Sequence, residues 1–249
     1  MPGAEGGGAG MTTTTAPSLH KSVLSALDTV RDPELDEPIT ELGFVQTIRL
    51  HTRGVEVTLR LPTYFCAPNF AYLMVADAYD AVAALPGVAE ASIQLVDHFA
   101  SAEINAGVAQ QAGFGGTFPA QTDAELTELR QIFRRKAYLA ALDRLCTALR
   151  GRGYEISEIA ELRLGELPGG TQRDSLLRRR RELGMSALAH DWLLLDEEGT
   201  RITSTEAPLR LRFARAVRVS IEGNAGFCRG LLHTRYPNGE YSKVEPSAR

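Results

Sequence analysis

A change of hydrophobic period constrains this chain more than any other feature of its sequence. Val55, Val57, Leu59 and Leu61 alternate, the pattern of a half-buried strand. From Pro68 onward, Phe70, Leu73, Met74, Ala78, Ala81, Val82 and Leu85 recur at helical spacing, and proline suits the first turn of a helix. Cys66 lies between the two patterns, where a strand hands over to a helix N-terminus. Backbone N–H groups converge at such a junction, and the positive end of the helix dipole favours a thiolate. That setting suits metal binding or nucleophilic attack. The alternative is a small apolar residue filling a strand end.

Upstream, Leu19, Val23, Leu24, Leu27 and Val30 form one face of a short helix ending near Arg31. Asp32-Pro33-Glu34 breaks it, because a residue before proline is pushed out of the helical region. Leu42 to Leu50 reads as a strand, and His51-Thr52-Arg53-Gly54 as the hairpin into the strand that precedes Cys66. After the Pro68 helix, Ala91, Ile93 and Leu95 alternate again. The expected order is helix, strand, strand, helix, strand, a compact α+β unit over 18–106. Residues 1–17 are Gly-, Ala- and Thr-rich and read as a disordered tail. Residues 107–122 read as a Gly-rich linker or a loop lying over the first unit.

Charge divides the chain at about the same place. Residues 1–122 carry 5 Lys and Arg against 13 Asp and Glu, a net of −8, whereas residues 123–249 carry 22 against 18, a net of +4. The acidic half argues against nucleic-acid binding, and the Arg-rich half leaves an anionic partner open. The Arg-rich region, 123–249, is expected to be mixed and helix-led. Its first helix runs from about Asp123 to Arg150, with Leu126, Leu129, Ile132, Phe133, Leu139, Leu142, Leu145 and Leu149 on one stripe. A strand is expected at Trp192–Leu195, and 209–221 accepts either a strand or a helical reading. Arg178–Arg181 reads as a solvated helix face, with an acidic client surface or nucleic acid as the other readings. With three cysteines and no apolar run long enough to span a bilayer, a reducing cytoplasm and no membrane partner are the simplest setting.

The ordered set Asp32-Pro33-Glu34, Ile39-Thr40-Glu41-Leu42-Gly43-Phe44-Val45, Val55-Glu56-Val57-Thr58-Leu59, Thr63 and Cys66 before Pro68 resembles a known family. It is the small domain shared by the SUF-associated T protein, the MIP-type cytosolic iron–sulfur assembly factors and the PaaD-like oxygenase maturation proteins. The resemblance covers about residues 18–98. It implies an α+β fold with the cysteine beside the aspartate of the Asp-Pro-Glu turn. It also implies a non-enzymatic role in delivering iron–sulfur clusters or iron, held transiently, to client metalloproteins alongside other assembly proteins. A multicomponent oxygenase is the client class suggested by the PaaD-like members.

On that resemblance Cys66 is the metal ligand and Asp32 its carboxylate partner, with Glu34, Thr63 and His98 in support. Asp32 and Glu34 have an alternative role as a turn and cap that satisfies backbone N–H groups. One cysteine cannot hold a cluster alone, because such clusters usually take four protein ligands. A homodimer bridging a cluster, a transient handover, or ligands from the client would complete the set. Tyr64-Phe65 stands where the family has a small residue and forms an aromatic shield beside the sulfur. Cys146 falls on an apolar stripe and reads as core, and Cys228 reads either as structural or as a second thiol for a shared site. The other class consistent with these residues is a metal-free adaptor for a client enzyme. A thiol enzyme would need a base near Cys66, and His98 is the nearest candidate.

Overall fold

The computed structural model of the protein describes residues 16–237 and 243–245. The tail expected over 1–17 falls outside the described residues up to position 15, and helix α1 (Ala16–Leu27) begins at Ala16. Val23 and Leu27 on its apolar face are fully buried. Strands β1 (Val45–Leu50) and β2 (Gly54–Arg60) pair as an antiparallel hairpin. Helix α2 (Pro68–Ala83) then crosses over to β3 (Glu90–Val96), which lies parallel to β2 with Val57 opposite Ile93 and Leu59 opposite Leu95. A short β4 (Lys243–Glu245) adds to the far side of β1, giving the order β3-β2-β1-β4. Ile48, Val55, Val57, Leu59, Ile93 and Leu95 point to one face and are buried there with α1 and α2. At about 1.5–3 kcal/mol for each fully buried aliphatic side chain, this face is the main reason the register holds.

The stretch expected as linker or loop, 107–122, lies over the first unit and is helical over 107–109 and 113–117. Helix α3 (Ser101–Ala109) and the short α4 (Gly113–Thr117) fold onto the first core, where Ile104, Val108 and Phe114 are buried. Gly107 is required at their crossing, since a Cβ there would sit 1.9 Å from the Thr117 hydroxyl oxygen. Helix α5 (Asp123–Arg150) starts in a capping box, with Thr122 accepting from the Glu125 N–H and Glu125 accepting from the Thr122 N–H.

A second core collects the C-terminal half of α5, the short α6 (Ile156–Ile159), α7 (Thr171–Glu182) and the start of α8 (Ala207–Arg235). Cys146 lies inside it. Trp192–Leu195 is not a strand. It makes only isolated bridges, Arg163 with Trp192 and Leu195 with Arg201, because Trp192 is instead stacked between the Arg163 and Arg201 guanidiniums at 3.7 and 3.6 Å. The stretch 209–221 takes the helical reading, inside α8.

Helix α8 joins the two cores. Its N-terminal half buries Ala207, Leu211 and Ala214 in the second core, and its C-terminal half buries Ala225 and Leu232 in the first. Of the run Arg178–Arg181 on α7, only Arg181 is exposed, while Arg179 and Arg180 turn inward. Arg179 is buried and pairs with Asp36 of the first unit through its Nε at 3.0 Å and also through Nη2. Arg180 is fully buried and donates to the carbonyls of Trp192 and Leu193 at 2.8 and 2.5 Å. Arg130 makes a bidentate pair with Asp77 at 2.9 and 2.8 Å, and Arg229 pairs with Glu37. The anionic partner of the Arg-rich region thus includes the acidic half of the same chain.

Candidate metal-transfer site

Cys66 sits in the loop between β2 and α2, half-buried and packed against the first core. His98 fixes its backbone. His98 donates from Nε2 to the Cys66 carbonyl at 2.8 Å, while its Nδ1 accepts from the Ala100 N–H at 3.2 Å. The second bond requires an unprotonated Nδ1, so the imidazole is the neutral Nε2–H tautomer. Burial lowers the His98 pKa and keeps the ring neutral. Both nitrogens are committed to backbone, so His98 positions Cys66 and does not face its sulfur as a base or ligand. The loops on either side are held by the end of α8. Arg235 donates to the Leu61 carbonyl at 3.1 Å and the Asp97 carbonyl at 2.6 Å, and the Tyr236 hydroxyl donates to Asp97 Oδ2 at 2.9 Å.

Asp32 is buried at the turn after α1. Its Oδ1 accepts from the N–H groups of Glu34 and Leu35, each at 2.8 Å, which closes the Asp-Pro-Glu turn as an Asx cap. Its Oδ2 takes no hydrogen bond among the described residues. Burial pushes the Asp32 carboxyl up to about 6, against the pull of those two N–H donors and with the charges of Glu34 and Glu37 adding to the rise. Thr63 is half-buried beside the loop, with no side-chain hydrogen bond among the described residues.

The thiol does not follow the expectation of a helix-stabilised thiolate. Burial pushes Cys66 up to about 12, and the charges of Asp32, Cys228 and Glu34 push the same way, outweighing the Ala67 N–H that favours the anion. Desolvation in an anionic neighbourhood beats one helix terminus. A neutral thiol with no base beside it is a poor nucleophile. It is also surrounded by donors that repel one another until a cation arrives, and a metal ion reverses that balance by binding the deprotonated forms.

Tyr64, Phe65 and Phe99 do not bury the loop. They form a cluster with ring centroids 5.0–6.3 Å apart, and Phe65 is 78% exposed. Among the described residues, no three His, Cys, Asp or Glu side chains are grouped closely enough to hold a metal ion as they stand.

Residues 20–93 match the family model described as iron-sulfur cluster assembly protein. This stretch is similar to an iron–sulfur cluster assembly domain. The match spans α1 to most of β3 and contains Asp32, Glu34, Thr63 and Cys66, while His98 and Cys228 lie beyond it. No curated protein and no solved structure matches the chain. The assembly domain covers under a third of the 249 residues, so its surroundings belong to this chain's own architecture. The family resemblance implies Cys66 near Asp32, and the Asp32 charge does act on the Cys66 thiol. Sequence reasoning could not foresee Arg235 and Tyr236 bracing the loop, because their partners at Leu61 and Asp97 are set only by how α8 docks. Among the described residues, no helix is long and apolar enough to cross a membrane.

Proposed function

We propose that the protein is a cytoplasmic, non-catalytic assembly factor. It holds iron or an iron–sulfur cluster transiently at Cys66 and Asp32 and passes it to a client metalloprotein. The observation that carries this reading is the clustering of Cys66, Asp32 and Glu34 inside a stretch similar to the iron–sulfur assembly family. Among the described residues Asp32 and Glu34 make no ion pair, and one Asp32 oxygen takes no hydrogen bond. Cys66 supplies sulfur, the ligand type iron–sulfur clusters use, and Asp32 supplies a carboxylate oxygen. The incomplete ligand set suits a cargo that must leave. The client, or a second copy of the chain, supplies the remaining ligands. A multicomponent oxygenase is the client class that the likeness to PaaD-like proteins favours.

Anaerobic reconstitution with iron and sulfide tests this reading. The wild type takes up both, and Cys66→Ala loses most of that uptake. Equal iron and sulfide in the two proteins would remove Cys66 from the mechanism.

A second reading, a metal-free adaptor, draws support from the exposed Tyr64–Phe65–Phe99 cluster. Exposed aromatic groups of this kind are frequent anchors of protein interfaces. A Cys66→Ala protein that still captured its client and gave a fully active client would favour that reading.

A further inference from the structure

Helix α8 buries one face only. Ala207, Leu211, Ala214, Ile221, Ala225 and Leu232 turn into the two cores. On the opposite side, Leu209, Phe213, Ala216, Ser220, Gly223, Phe227 and Gly230 follow at alternating steps of four and three residues, and all are exposed. That alternation is the a/d rhythm of a seam that packs against a second helix. The large members stand well out of the surface, with Leu209 66%, Phe213 54% and Phe227 67% exposed. Gly223, Gly226 and Gly230 weaken a helix, yet among the described residues open space surrounds the Cβ position of each. Nothing described within the fold calls for these glycines, whereas a helix lying close against this face does. The sequence outside the described residues has one aromatic, Tyr241, and no Leu, Ile or Val, too little to cover a seam about 30 Å long.

We infer that this face is the two-fold interface of a homodimer, in which α8 pairs antiparallel with α8 of a second copy. One register matches large to small along the seam. Phe213 meets Gly230 of the second copy, Ala216 meets Phe227, and Val219, itself 54% exposed, lies over Gly226. Ser220 meets Gly223 near the axis, which leaves room for a methyl group. Two-fold symmetry makes each of these contacts twice. The same register suits the charges. A parallel pair would set Arg210, Arg212 and Arg215 beside their own counterparts. The antiparallel pair puts the two Arg212 residues about 28 Å apart along the axis, beyond a Debye length of about 8–10 Å. It also aligns the helix dipoles head to tail. A seam of this length covers about 600 Å² on each copy, or about 1,200 Å² in all, the lower bound of a stable specific interface. The seam lies outside residues 20–93, so the pairing belongs to the C-terminal region and does not depend on metal binding.

Sedimentation equilibrium of the full-length, metal-free protein at micromolar concentration tests this. The wild type sediments at twice the chain mass. Phe227→Glu and Ala216→Arg each sediment as monomers, and because both positions are exposed their far-ultraviolet circular dichroism matches the wild type. The double variant returns to the dimer, since each new arginine then faces the new glutamate of the other copy. In a parallel pair the two positions lie about 16 Å apart along the axis and no such rescue occurs. A monomeric wild type overturns the inference, as does a dimer that survives both single substitutions. Monomeric single variants without rescue in the double variant overturn the antiparallel register. A dimer lost in Phe65→Glu but kept in Phe227→Glu places the interface on the Tyr64–Phe65–Phe99 cluster and overturns the assignment to α8.

Discussion

Asp32 divides its work between its two oxygens. Oδ1 closes the turn by accepting two backbone N–H groups, and Oδ2 takes no hydrogen bond among the described residues, while the carboxylate charge acts on the Cys66 thiol. The turn needs only an acceptor, so the negative charge is a cost in the metal-free protein. The folded-state pKa is raised, from 3.8 to about 6. The folded chain therefore holds that proton more tightly than the unfolded one, and stability falls as pH rises from the lower value through the upper one. Asp32→Asn keeps the acceptor without the charge. It is expected to stabilise the metal-free protein at pH 7 by up to about 3 kcal/mol, with the gain gone at pH 4. Thermal melts across that range check this, and a gain that did not vary with pH would contradict it. Metal binding has the opposite sign, because the ligand is the ionised carboxylate and affinity rises with pH. The position of Cys66 was legible from the switch of period between Leu61 and Pro68. Its protonation was not, because burial and then the charges of Asp32 and Cys228 set it, and none of these shows in the local sequence.

Elements were legible where the hydrophobic period was strong and local. The hairpin and β3 follow from alternation, α2 from helical spacing after Pro68, and α5 from its apolar stripe, whereas the Thr122–Glu125 box that starts α5 emerged only from the structure. Gly-rich 107–122 was misleading, because its glycines serve close packing and not flexibility. Gly107 lets α4 lie against α3, and Gly107→Ala is expected to destabilise the protein by about 1–3 kcal/mol through overpacking. Gly223 of α8 is the opposite case, with nothing within 4 Å of where a Cβ would be. Gly223→Ala is expected to stabilise by about 0.5–1 kcal/mol, the helix-propensity difference. Denaturant midpoints of the two variants moving in the same direction would refute this assignment of roles. The residues 209–221 were ambiguous because Leu209, Leu211 and Phe213 alternate, and only docking across two cores selects the helix.

At the scale of the molecule, the charge break is a feature of its internal assembly. The acidic first half and the Arg-rich second half meet at Asp36–Arg179, Asp77–Arg130 and Glu37–Arg229. The composition shift was visible in the sequence, but the pairing was not, since it joins residues far apart in the chain. The buried pair matters most. Arg179→Ala leaves the buried Asp36 carboxylate with only the longer Arg31 contact at 3.8 Å and is expected to cost up to about 3 kcal/mol. Arg181→Ala, exposed on the same helix, is expected to change stability by no more than about 0.5 kcal/mol. Similar losses in the two, by chemical denaturation, would mean the Asp36–Arg179 pair does not tie the halves together. The same docking sets α8 against the Asp-Pro-Glu turn and braces the loop that carries Cys66, so the two halves together shape the proposed transfer site. The most direct measurement is cluster transfer. The wild-type protein, loaded anaerobically with iron and sulfide, is mixed with an apo-ferredoxin, and the visible circular dichroism of the acceptor is followed. The account predicts that the signal passes to the acceptor and that Cys66→Ala delivers little or nothing. A cluster that stays on the protein, or equal delivery by Cys66→Ala, would contradict it.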